Sequence, residues 1–268
     1  MPEHIYKNSP IGVFDSGIGG LTVVNEIRKK LPNESIVYFG DTARVPYGTK
    51  STDTIIRFAR EDIEFLLEQN VKIVVSACFS VSSNALPYLS SAFDIPIIGM
   101  ISPGVEAVRK KSYKKIGVIG TQATIESGAF YRELKRAFKG IQIHSTTCPL
   151  FVPLAEEGWT SGEVPFIVAK KYLSSLLNED IEALILGCTH YPLLYPVIKK
   201  VMGEDVDIIE PGKEVTLIIK RFLKDNEIES SDDGNLKIFL SDIPRNFPLV
   251  VENFLKHPVE EVHLVRSE

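Results

Sequence analysis

Cysteine is scarce in this chain: three residues, an odd number, lie far apart along 268 positions. They do not form a disulfide framework, and they point to a reduced, cytoplasmic protein. Long apolar runs are missing as well. None approaches the ~18 residues that a membrane span requires, and the polar stretch from Met1 to Pro10 has no apolar core of a secretory leader. There is no basic surplus: 30 Lys and Arg face 35 Asp and Glu, for a formal net charge of -5. General nucleic-acid binding is therefore disfavoured, and neither a nucleic acid nor a membrane is expected as a partner. Disorder is excluded too, because 44% of the residues are hydrophobic and can build a sizeable core. The length suits two domains or one large one.

Short apolar runs alternate with helix-length amphipathic stretches. Ile11–Phe14, Ile36–Phe39, Ile73–Val75, Ile97–Met100, Ile116–Ile119, Ala183–Leu186, Asp207–Ile209 and Lys237–Leu240 read as buried strands. Most are β-branched and lack polar alternation, as parallel strands covered on both faces should. Between them, Leu21–Lys30, Thr52–Gln69, Gly104–Lys110, Glu126–Phe138, Glu163–Leu177, Leu193–Met202 and Lys213–Leu223 have helical spacing. Ser51 and Thr52 precede one helix, with Asp53 in its first turn, and Pro103 reads as lying before another helix. This alternation predicts an α/β fold with mostly parallel sheets.

The chain also echoes itself. Ile11 to Gly17 resembles Ile116 to Thr121, and Ile73 to Cys78 resembles Leu184 to Cys188, at offsets of about 105 and 110 residues. Two matches in the same order predict two pseudo-symmetric α/β domains with a cleft between them. The break falls near Pro96–Pro103, read as a linker, and a second crossing falls at Glu210–Gly212. The expected division is residues 1–100 with 213–268 as one domain and 101–212 as the other.

In each half a cysteine directly follows a buried strand, where open parallel sheets bind ligands. Across a cleft, Cys78 and Cys188 would oppose each other. They could also be ordinary core cysteines, but polar residues follow both: Ser80 after the first, Thr189 and His190 after the second. Opposed thiols suit amino-acid racemisation, in which a thiolate removes the Cα proton from one face and a thiol returns one to the other. Asp15 near Cys78 and His190 near Cys188 are candidate helpers. Asp15 could instead be a turn or cap residue, and His190 could satisfy a backbone carbonyl. The turn Gly17, Gly19, Gly20 lacks the third glycine of a dinucleotide loop, since Thr22 stands there, and Asp15 would repel a phosphate. Its backbone N–H groups could hold a carboxylate instead. Cys188 and His190 have no further ligands at metal spacing, so no metal is expected.

The strings FDSGIGGL (Phe14–Leu21), FGDTARVPYG (Phe39–Gly48), CPLFVPLAEEG (Cys148–Gly158) and LGCTHYPLL (Leu186–Leu194) resemble those of the glutamate racemases. The resemblance runs over nearly the whole chain. It implies two α/β domains with the active site between them, no cofactor, glutamate as substrate, a homodimer as the candidate assembly, and supply of D-glutamate for peptidoglycan. It further implies that Cys78 and Cys188 are the catalytic pair, assisted by Asp15, His190 and Glu156. Substrate would be lined by Asp15, Ser16, Pro46, Tyr47, Gly48, Phe79, Ser80, Thr124, Thr189 and His190, while Cys148 is structural. One position departs from the family pattern: Asn-Thr normally follows the first cysteine, and here it is Phe79-Ser80. A phenyl ring offers no hydrogen bond to an amino acid. Slow turnover, racemisation of aspartate or another small acidic amino acid, or a carboxylate-binding paralogue without racemase activity are the alternatives this opens.

Overall fold

A computed structural model describes residues 6–244, 247–255 and 262–265; Met1 to Ile5 of the polar N-terminal stretch lie outside them. Among the described residues, ten strands form two sheets: β1 (Ile11–Asp15), β2 (Ile36–Gly40), β3 (Ile73–Ser76), β4 (Ile97–Ile98), β5 (Lys115–Gly120), β6 (Gln142–Thr147), β7 (Ala183–Gly187), β8 (Asp207–Ile209), β9 (Leu236–Leu240) and β10 (Val262–Leu264). The first sheet runs β10-β9-β2-β1-β3-β4 and the second β6-β5-β7-β8, with every pairing parallel. The order β2-β1-β3-β4 is repeated as β6-β5-β7-β8. The sequence echo is therefore a structural repeat, with β1 matching β5 and β3 matching β7. The segment after Gly212 returns to the first sheet, where β9 pairs with β2.

The central strands are buried along their whole length: β1, β2, β3 and β7 carry no exposed residue. Helices cover both faces, and burial on both sides is what the unbroken apolar runs demanded. Ser51 caps helix Thr52–Glu68 by accepting from the Thr54 N–H at 3.4 Å.

Several boundaries differ from the sequence reading. β6 carries no strand signal in the sequence, because it is a sheet-edge strand with five polar residues of six, none of the six fully buried. The stretch Glu126–Phe138 is two helices, Gln122–Glu126 and Ala129–Ala137, separated at Gly128 with φ +65°. The stretch Pro96–Pro103 is not a linker. It holds β4 and the first turn of helix Ile101–Val108, so Pro103 lies inside that turn, where a missing N–H costs nothing. Residues 191–194 form a 3-10 turn before helix Tyr195–Met202. Helix Ile101–Val108 packs against both helix Pro211–Asp225 and helix Ala129–Ala137, at the seam between the two repeats.

Candidate active site

Repetition of the strand order places equivalent chain ends face to face. Asp15 closes β1, Thr121 follows β5, Cys78 follows β3 by two residues, and Cys188 follows β7 directly. One pocket gathers these ends. Ser16, Pro46, Gly48, Cys78, Phe79 and Ser80 line it from the first repeat, and Thr121, Val152, Cys188, Thr189 and His190 from the second. Both thiols are nearly buried, at 5% and 6% exposure, so their ionisation answers to neighbours more than to bulk water.

Hydrogen bonds close the seam around the pocket. The Ser80 and Thr121 hydroxyls meet at 3.0 Å, Thr189 Oγ1 donates to Asp15 Oδ1 at 3.4 Å, and Thr22 Oγ1 donates to the Thr189 carbonyl at 3.0 Å. Two glycines permit this approach. A Cβ at Gly19 would lie 2.5 Å from the His190 ring, and one at Gly48 would lie 2.5 Å from Thr121 Cβ. Any side chain there would push the repeats apart.

The glycine turn serves Asp15. The Gly17 N–H donates to Asp15 Oδ2 at 3.3 Å, and Gly20 supplies a second backbone hydrogen bond. Burial still raises the Asp15 carboxyl above its usual value, against the opposing pull of His190 and these donors. Burial, with the Asp15 charge second, pushes the Cys78 thiol up to about 12. The opposite side of the pocket differs. His190 Nδ1 lies 3.8 Å from Cys188 Sγ, and Nε2 lies 3.1 Å from Glu156 Oε1. Burial alone would lower the His190 pKa, yet Cys188 and Glu156 together raise it to about 10. The two sides thus differ: the protonated form is favoured for the imidazole beside Cys188, and the neutral form for the Cys78 thiol.

Of the residues expected from sequence, Tyr47 and Thr124 stand behind the lining rather than in it. The Tyr47 hydroxyl points into the core, shared between Asp41 and Asp62, with 3.0 Å to Asp62. Thr124 backs Thr121 at 3.0 Å. Asp15 and Glu156 also stand behind the lining, through Thr189 and His190. Sequence reasoning missed Thr121, although the echo aligning Ser16 with Thr121 carried the signal. Cys148 is fully buried, and its carbonyl accepts from the Tyr191 hydroxyl at 2.9 Å. Among the described residues no three His, Cys, Asp or Glu side chains are grouped to hold a metal, and no helix is long and apolar enough to cross a membrane.

Residues 12–216 match the family pattern described as Asp/Glu/Hydantoin racemase. The chain is 44% identical over 261 residues to a glutamate racemase of Geobacter metallireducens, covering 96% of this chain and 97% of that one. It is 46% identical over 246 residues to a glutamate racemase of Aquifex pyrophilus, covering 91% and 93%. Its fold superposes on the crystal structure of the Francisella tularensis glutamate racemase in complex with D-glutamate, with a TM-score of 0.91 and 41% identity over 97% of this chain and 98% of that one. A family pattern matched over residues 12–216, 44% identity and near-complete coverage lead to one assignment: the chain belongs to the Asp/Glu/Hydantoin racemase family.

Proposed function

We propose that this protein interconverts L- and D-glutamate by a two-thiol proton transfer that uses no organic cofactor. The observation that carries this reading is the pairing of Cys78 and Cys188 in one buried pocket, at equivalent strand ends of the two repeats. One thiolate takes the Cα proton from one face. The electron pair is held as a carbanion conjugated with the α-carboxylate, and the opposite thiol donates its proton to the other face. The hydroxyls of Ser16, Ser80, Thr121 and Thr189 surround the space where substrate carboxylates and ammonium would bind.

Electrostatics divides the labour. The His190 imidazolium stabilises negative charge on Cys188, and Glu156 holds that ring in place. Burial, and after it the Asp15 charge, disfavours a thiolate at Cys78 and so favours its role as a proton donor. The ammonium of an arriving substrate supplies the positive charge that lets Cys78 ionise for the reverse direction.

The same reading places residues 1–100 with 213–268 in one domain and 101–212 in the other, closing over the substrate. It also assigns a cytoplasmic enzyme, a homodimer, that supplies D-glutamate for peptidoglycan. Racemisation of aspartate or another small acidic amino acid is the second reading, favoured by Phe79 standing where the family has an amide. The test is circular dichroism of L- and D-glutamate with purified protein free of pyridoxal phosphate. Decay of both signals to zero supports the reading. A stable glutamate signal beside decay of the aspartate signal would replace it with the second.

A further inference from the structure

A second, partly open cavity adjoins the thiol pocket. Asn25, Glu26, Met100, Leu193, Lys213 and Phe254 are among its walls. The two cavities share three residues: Phe79, Cys188 and Thr189. Cys188 belongs to the chemistry, and the Thr189 carbonyl is pinned by Thr22. Phe79 has no polar side-chain group, and it is the one shared residue that comes from the first repeat. Only 4% of it is exposed, and it stacks across the seam on Phe130, with centroids 6.2 Å apart and planes at 27°. Phe130 is wedged in turn: a Cβ at Gly104 would meet its ring at 2.7 Å, and one at Gly187 would meet it at 3.3 Å. An aromatic pair packed this tightly does not swing aside for a longer ligand.

We infer that Phe79 is a specificity-determining residue, which limits the length of amino acid the thiol pocket accepts by sealing that pocket from the second cavity. This rests on the proposed glutamate racemisation. A hydrogen-bonding residue at this position would grip a substrate; the ring instead bounds it. Shrinking the ring joins the two cavities and gives an acid with one more methylene somewhere to extend. A hydrophobic wall discriminates by about 10–200-fold per methylene.

The experiment compares kcat/KM for α-hydrogen exchange in D2O, followed by NMR, with glutamate and with its one-methylene homologue 2-aminoadipate. The wild-type protein should favour glutamate at least tenfold. Phe79→Ala should shift the ratio toward 2-aminoadipate by tenfold or more. The conservative Phe79→Leu, which keeps an apolar core residue and should fold, should shift it threefold or more. A wild-type ratio below threefold, or a folded Phe79→Leu with its ratio unchanged within twofold, overturns the inference. If glutamate exchanges normally and the ratio stays fixed, this inference alone fails. If wild-type protein exchanges neither acid, the proposed function fails and takes this inference with it.

Discussion

Replacing His190 by Asn removes the imidazole that is hydrogen-bonded to Cys188. The imidazole Nδ1 stands 3.8 Å from the sulfur. At an effective dielectric of about 20, a charge pair at that separation is worth about 4 kcal/mol, or roughly a thousandfold in rate if all of it is felt when the thiolate forms. Asn restores some hydrogen bonding, so a fall of one to three powers of ten in kcat/KM is expected. Enantiomers have equal free energy in water. The fall in kcat/KM must therefore be identical for D- and L-glutamate, however lopsided the damage. The lopsidedness appears in the primary isotope effect instead. Slowing proton transfer at Cys188 makes that step more rate-limiting, so the α-deuterium effect on kcat/KM should rise for the enantiomer whose hydrogen faces Cys188 and fall for the other. The assay is circular dichroism with protiated and α-deuterated glutamate of each hand. Pairing the change with Glu156→Gln removes the carboxylate that His190 leaves behind, 3.1 Å from its Nε2. A loss under tenfold with both isotope effects unchanged would refute the role given to His190.

Either Cys78→Ala or Cys188→Ala should cut racemisation by at least about a hundredfold, the low end for a lost general acid or base, to background; substantial turnover by Cys78→Ala sinks the paired-thiol mechanism. Protein dialysed against chelator and stripped of pyridoxal phosphate should keep its full rate, and recovery only on adding back either one would contradict the proposed chemistry. Stability should decline on the alkaline side. His190 is raised from 6.5 to about 10 in the folded protein, so its contribution is complete below about pH 6.5 and is lost as pH climbs toward 10. Cys78, raised from 9.0 to about 12, adds to the loss above pH 9, because the unfolded thiol ionises first. Tm should therefore fall between pH 6 and pH 9.5, and fall less in His190→Asn. A wild-type Tm that rises over that interval rules this out.

Local sequence determined a good deal. Runs such as Ile73–Ser76 and Ala183–Gly187 have no polar alternation, and only a strand covered on both faces can bury every one of their residues. The echo at two nearly equal offsets pointed to the repeat, and with it to the equivalence of Cys78 and Cys188. Chemistry-bearing residues next to strand ends were readable because a strand's end fixes where the next side chain can go. Tertiary packing decided what local pattern could not. Whether Tyr47 faces substrate or core depends on Asp62, fifteen positions away on a helix that the sequence does not orient. Thr121 enters the lining against Gly48, where no side chain stands in its way, and Thr124 stands behind it. Phe79 reads as a lost hydrogen bond in one dimension. In three dimensions it is half of an aromatic pair whose partner, Phe130, comes from the other repeat. Hydrophobic periodicity reports that a side chain is buried, whereas its partner is set by long-range packing that no short stretch of sequence encodes.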